Sequence, residues 1–219
     1  SPALFCELNQ IVTELSKQTD SVGCVILRGA GRCFSAGNDL KAVRSGVKAK
    51  EKFFQAKTID LIEKMPQPTI ASVHGHCLTG ALELALACDL MITSESANLA
   101  DTHGKWGMVP GWGMSVRLPR RVGLLKAKEM MFTGMSINGL QAVEIGLSSQ
   151  CVTDDHLKVS TLDLAESIVK NSWHTNFADK KLFLDNENHF HDASLKMERE
   201  QSASVASDMH ERVKQGFKS

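Results

Sequence analysis

One acidic residue, Glu83, stands in the otherwise apolar stretch Ala81-Leu-Glu-Leu-Ala-Leu-Ala87. A helix with so little polar surface is buried nearly all round. A glutamate is almost never fully buried without a partner or a purpose. Three residues earlier comes Gly80. A glycine at a helix start lets another group approach the backbone closely, where the first amide N–H groups have no intrahelical acceptor. One helical turn thus offers amide donors for a developing negative charge beside a carboxylate that can move a proton.

The elements that must position this turn are legible around it. Residues 69–73 form an apolar strand, and the chain turns through Gly75 and Gly80 into the central helix. Upstream, Leu4, Leu8, Ile11, Val12 and Leu15 have the spacing of an amphipathic helix. Residues 22–27 read as a buried strand, 28–41 as a glycine-rich loop and 45–55 as a polar loop. A helix over 57–65 is stopped by Pro66-Gln67-Pro68. Downstream, 90–93 and 150–153 read as strands, 98–113 as irregular, and 124–132 and 140–145 as helices. From residue 154 on, the pattern is helical only, with breaks near 171–176 and 186–191. Strands alternating with helices predict an α/β core with a mostly parallel sheet. The expected division is a core over 1–153 and a helical region over 154–219, too poor in apolar residues to fold alone.

Composition narrows the function. An apolar fraction of 42% supports a real core, and 25 basic residues balance 25 acidic ones. That balance argues against binding to nucleic acid or anionic membranes driven by charge. Six scattered cysteines without a CxxC pair read as reduced thiols of an intracellular protein. No apolar run is long enough to span a bilayer. No signal peptide opens the sequence, and the abrupt Ser1-Pro2 start reads as that of a fragment.

Three segments carry a resemblance to a known family. They are Cys33-Phe-Ser-Ala-Gly-Asn-Asp-Leu-Lys41, the run Pro68 to Asp89 around Gly80 and Glu83, and Gly107-Met-Val-Pro-Gly-Trp-Gly-Met-Ser-Val-Arg-Leu-Pro-Arg-Arg-Val-Gly123, continued by Ala142-Val-Glu-Ile-Gly-Leu147. In order and spacing they resemble the enoyl-CoA hydratase/isomerase (crotonase) superfamily, across essentially the whole chain. The resemblance implies an α/β, crotonase-like spiral of β-β-α units with a helical C-terminal trimerisation region. It also implies a homotrimer or a dimer of trimers, and an acyl-CoA thioester as substrate. Coenzyme A then arrives as part of the substrate, and no separate cofactor, metal, nucleic acid or membrane is expected. Carried over by position, the oxyanion-hole amides fall on Asn38 and Gly80. Ala36, Asp39, Leu40 and Lys41 match the CoA-binding loop, Lys41 as a contact to nucleotide phosphate. Hydratases of the family use two glutamates that share a water. The first matches Glu83; the second position holds His103.

That departure leaves the reaction open. The leading expectation is a hydratase-type lyase, in which Glu83 activates water and His103 supplies the α-proton. The alternatives are another reaction through the same enolate, such as thioester hydrolysis, decarboxylation or carbon–carbon cleavage, and an acyl-CoA-binding protein that has lost activity. The family's usual strand pair ahead of Ala3 is also absent from this sequence, which leaves either an open sheet edge or a sequence that omits it.

Plainer readings stand beside these. Glu83 can be structural, capping a nearby amide. His103 can be an inert loop histidine, and Asp101 can orient it or merely cap the loop. Trp106 and Trp112 can line an acyl pocket or pack a glycine-rich loop. Arg117, Arg120 and Arg121 read as a solvated face or a subunit contact rather than a phosphate site. His74-Gly-His-Cys77 lacks a second ligand cluster with zinc-like spacing, and Gly29, Gly31 and Gly37 do not have the GxGxxG spacing. Compartment stays open between cytosol and mitochondrion, and the acyl-chain length is not legible.

Overall fold

The computed structural model describes residues 1–38 and 51–184, with residues 192, 196, 210 and 214 as isolated helical positions. The first helix, α1 (Pro2–Leu15), is capped by Ser1 and buries Phe5 and Val12. β1 (Val25–Arg28) follows, starting three residues later than the apolar run suggests because Gly23 falls inside it. α2 (Phe54–Lys64) leads to β2 (Thr69–Val73), β3 (His76–Leu78) and α3 (Gly80–Leu86). Next come β4 (Leu90–Ser94), β5 (Asn98–Ala100) and a 3-10 turn at His103–Trp106. α4 (Met114–Val122), α5 (Leu124–Thr133), β6 (Ser136–Asn138), α6 (Gly139–Glu144) and β7 (Gln150–Val152) complete the core. A 3-10 turn at Asp154–His156 enters α7 (Leu157–Val169), and α8 occupies residues 173–184.

The strands make two sheets. β1, β2, β4 and β7 form an all-parallel sheet in the order β1-β2-β4-β7. β3, β5 and β6 form the second, with β3 parallel to β5 and β6 antiparallel to it. Ser35 pairs with Cys77 as a parallel bridge ahead of β3. A repeat is visible here. β1 with the Ser35 position, β2 with β3, and β4 with β5 each add one strand to the first sheet and one to the second before the chain turns helical. The fold is thus an α/β spiral of β-β-α units, in agreement with the expectation.

Both faces of the first sheet are covered, which explains why β2 is buried at all five residues. Ala71, Val73 and Met91 join Leu82, Ala85 and Leu86 of α3 in the main core. Ile70 and Ile92 point the other way, onto Leu157, Leu164, Ala165 and Ile168 of α7. α8 is tied down by Lys180, whose ammonium donates to Asp89 Oδ2 at 2.7 Å and to the Gln67 carbonyl at 3.0 Å. Among the described residues, β1 stands at the edge of its sheet, and no helix is long and apolar enough to cross a membrane.

Two differences from the sequence reading have local causes. Residues 98–113 are not wholly irregular, since β5 and a 3-10 turn lie within them. At three residues, β3, β5 and β6 are too short to show a strand's alternation. α4 escapes detection because Pro119 lies inside it and its N-terminal flank is Gly113 in a left-handed conformation.

All six cysteines are free thiols. Burial pushes Cys88 up to about 12, with Asp89 adding to the rise, and Cys24 up to about 11 from the same two causes. Burial raises Cys77 further still. The thiolate is the nucleophile, so these thiols are inert in the folded state. At mildly alkaline pH a chromogenic disulfide reagent labels exposed Cys6 promptly. Cys77 and Cys88 react only after denaturant is added, and prompt labelling of either contradicts the packing described.

Candidate active site

Glu83 lies in the first turn of α3 and is 1% exposed. Its Oε1 accepts the Trp112 N–H at 2.8 Å and the Met114 N–H at 3.2 Å. These bonds fix the carboxylate in place. Its other oxygen, Oε2, is 3.8 Å from His103 Nε2. Glu83 does therefore cap backbone amides, through Oε1.

His103 opens the 3-10 turn just after β5 and is 8% exposed. Asp101, 1% exposed, decides its orientation. Asp101 Oδ1 lies 2.6 Å from His103 Nδ1 and also accepts the His103 backbone N–H at 3.1 Å. A carboxylate only accepts, so Nδ1 carries a hydrogen and Nε2 is the atom presented to Glu83. Asp101 thus both caps the loop and orients the ring, a choice the sequence left undecided. His103 is not a solvated loop residue.

Gly80 begins α3 with the Trp112 indole pressed against it. A Cβ at residue 80 would stand 2.5 Å from Trp112 Cζ3, so only glycine fits. Thr79 before it has φ 57°, ψ −114°, outside the regions a β-branched residue normally occupies. Its N–H donates to the Ala100 carbonyl at 2.8 Å, and its hydroxyl forms a short hydrogen bond with the Thr102 hydroxyl. Strained backbone of this kind persists where surrounding structure over-determines it. Here the anchors join the turn bearing Gly80 to the segment bearing His103.

Asn38 reaches the same place from the first repeat. Ser35 N–H donates to the His76 carbonyl at 2.9 Å, and Leu78 N–H to the Ser35 carbonyl at 3.2 Å. Gly37, at φ 101°, passes so close to Leu78 that a Cβ would meet its carbonyl oxygen at 2.8 Å. Ala36, Asn38, Gly80, Glu83, His103 and Trp112 consequently line one cavity of about 400 Å³, with Trp106 also on its wall. Trp112 also packs edge-on against Phe5 of α1, centroids 5.0 Å apart, so one ring both lines the cavity and packs the core. Asp39, Leu40 and Lys41 lie outside the described residues.

Other candidates separate from this cavity. His74 Nε2 is 2.9 Å from the Gly31 carbonyl, in loop packing, and His76 is exposed at the start of β3. A larger cavity, about 480 Å³, lies by Cys88, Asp89, Arg121 and Lys180. Two of its cations already have partners, Lys180 on Asp89 and Arg121 on the Cys88 carbonyl. Arg117 corrects the solvated-face reading: it is 3% exposed and ion-paired to Asp60 and Glu63.

A family model described as enoyl-CoA hydratase/isomerase matches residues 1–219, the whole sequence. The chain belongs to the enoyl-CoA hydratase/isomerase family. Relatives of that family include a probable peroxisomal enoyl-CoA hydratase of Arabidopsis thaliana, 35% identical over 152 residues. That match covers 69% of this chain and 57% of the plant protein, so the chain spans little more than half of it. A probable enoyl-CoA hydratase of Bacillus subtilis is 34% identical over 201 residues, 87% of this chain and 78% of that protein. Among solved structures, the enoyl-CoA hydratase of Mycobacterium tuberculosis H37Rv superposes with a TM-score of 0.80 at 32% identity. It covers 92% of this chain and 86% of its own. An enoyl-CoA hydratase/isomerase from Pseudoalteromonas atlantica reaches a TM-score of 0.88 at 23% identity over 100% of this chain and 87% of its own, a likeness of fold.

Proposed function

We propose that the chain adds water across the α,β double bond of an acyl-CoA thioester, as a lyase of the enoyl-CoA hydratase type. The observation that carries this reading is the 3.8 Å approach of Glu83 Oε2 to His103 Nε2 on the wall of the cavity that Gly80 and Asn38 also line. A water held by both groups fits that separation, since two hydrogen bonds of about 2.8 Å span it at an acute angle.

Glu83 takes a proton from the water as its oxygen bonds to the β-carbon. The displaced electron pair moves onto the thioester oxygen, where the amides of Asn38 and Gly80 hold the enolate. Each such donor stabilises the transition state by about 2.7–4 kcal/mol. The carbonyl then reforms as the α-carbon takes a proton from His103 Nε2, with Asp101 holding Nδ1. Transfer of the proton on Glu83 to His103 across the short gap restores both groups, and one water has been added. Ala36, Asp39, Leu40 and Lys41 hold the coenzyme A portion. The chain works as a homotrimer or a dimer of trimers.

The test follows the absorbance of short and medium enoyl-CoA thioesters with purified protein, alongside calorimetric titration with a saturated acyl-CoA. Loss of the unsaturated chromophore with no new thiol is the expected result. Release of free thiol replaces this reading with hydrolysis, and tight binding without turnover replaces it with an acyl-CoA-binding role.

A further inference from the structure

The geometry points to Arg117 as the residue that positions Glu83, an inference that rests on Glu83 working as the base proposed above. Glu83 Oε1 is held by the N–H groups of Trp112 and Met114, which flank Gly113. The Trp112 carbonyl accepts instead from Arg117 Nη1, at 2.6 Å. One three-residue loop therefore has the carboxylate on its amides and the guanidinium on its carbonyl. Gly113 permits this closeness: at φ 112°, a Cβ there would stand 2.0 Å from Arg117 Nη1.

The guanidinium is itself immobilised. Nε donates to Glu63 Oε1 at 2.9 Å, and Nη2 to Glu63 Oε2 and Asp60 Oδ1, both at 2.8 Å. These carboxylates belong to α2, and the arginine side chain is 3% exposed. With two carboxylates already paired to it, Arg117 acts on Glu83 through the loop's geometry rather than by direct charge pairing. A planar fork with donors in several fixed directions can bridge two acids and a carbonyl, whereas a lysine ammonium cannot reproduce that set. The loop also carries the Trp112 ring, which is seated between Gly80 and Phe5. Arg117 touches no substrate and is a positioning residue.

Arg117→Lys tests this, measured beside Lys180→Met. Lys180 is a buried, ion-paired cation that does not line the cavity of Glu83, so its loss controls for lowered stability. Arg117→Lys lowers kcat by up to about a hundredfold, as ångström-scale misplacement does, with KM within about twofold of the parent. Lys180→Met loses melting temperature and keeps the parent kcat. Should Arg117→Lys fail to fold, Asp60→Asn preserves the volume and lowers kcat by a smaller factor at unchanged KM. Parent-like kcat in the folded Arg117 variant overturns the proposal. So does a crystal structure of it in which Glu83 Oε1 keeps both amide bonds. If the parent hydrates no enoyl-CoA, the proposed function falls, and that crystal structure alone decides the role of Arg117.

Discussion

Glu83→Gln lowers kcat for enoyl-CoA hydration by about 10²–10⁴, the range for loss of a general base, and leaves acyl-CoA affinity within a fewfold. The size and selectivity of this effect follow from the hydrogen bonds. Glutamine has the shape of glutamate, and its carbonyl oxygen can still accept the Trp112 and Met114 N–H groups. Turning the amide over would set its NH2 against those two donors, so the orientation is forced. The NH2 then points to His103, where the wild-type protein has a basic oxygen, and it cannot take a proton from water. The Trp112 and Met114 N–H groups stay paired in the variant, so no buried donor is orphaned and the protein still folds. Stopped-assay rates, titration calorimetry and a melting curve on one preparation check all three points. Equal turnover in variant and parent would remove Glu83 from the chemistry.

His103→Gln lowers kcat by on the order of 10²-fold and, more tellingly, changes the shape of the pH profile. As the donor to the α-carbon, His103 must carry its proton. The parent's rate therefore falls as pH rises through the imidazolium titration in the enzyme–substrate complex. Glutamine does not titrate, and that limb disappears from the variant. The ring is faced by Glu83 at 3.8 Å and Asp101 at 2.6 Å. Asp101→Asn keeps the titrating ring, so its profile retains the limb. Profiles of kcat for the three proteins decide the matter. An alkaline limb that survives intact in His103→Gln assigns the proton to another group.

The sequence carried some of these features openly and hid others, for identifiable reasons. Glu83 was conspicuous because an acid in an Ala/Leu run has no bland place to go, and Gly80 because it precedes that run. β2 was read at its true limits, since a strand covered on both faces is apolar throughout and sits between Pro68 and Gly75. The role of Asp101 was not decidable, because its bond to His103 depends on how the chain turns after β5. Arg117 misled outright. Its spacing with Arg120 and Arg121 suggested a wet face, while the acids that bury it stand 57 and 54 positions upstream. Pairings of that kind exist only once α2 and α4 have packed together.

The spiral has a consequence for how such a catalyst changes over evolutionary time. In each repeat, the chain leaves the second sheet and sets one cavity-lining residue at the same point: Asn38 after the Ser35 position, Gly80 after β3, His103 after β5. On the proposed function two of these stops donate backbone hydrogens, which every residue but proline possesses, while the third presents a side chain. New reactions can therefore be tried by exchanging one residue at the third stop, with the polarising apparatus inherited unchanged.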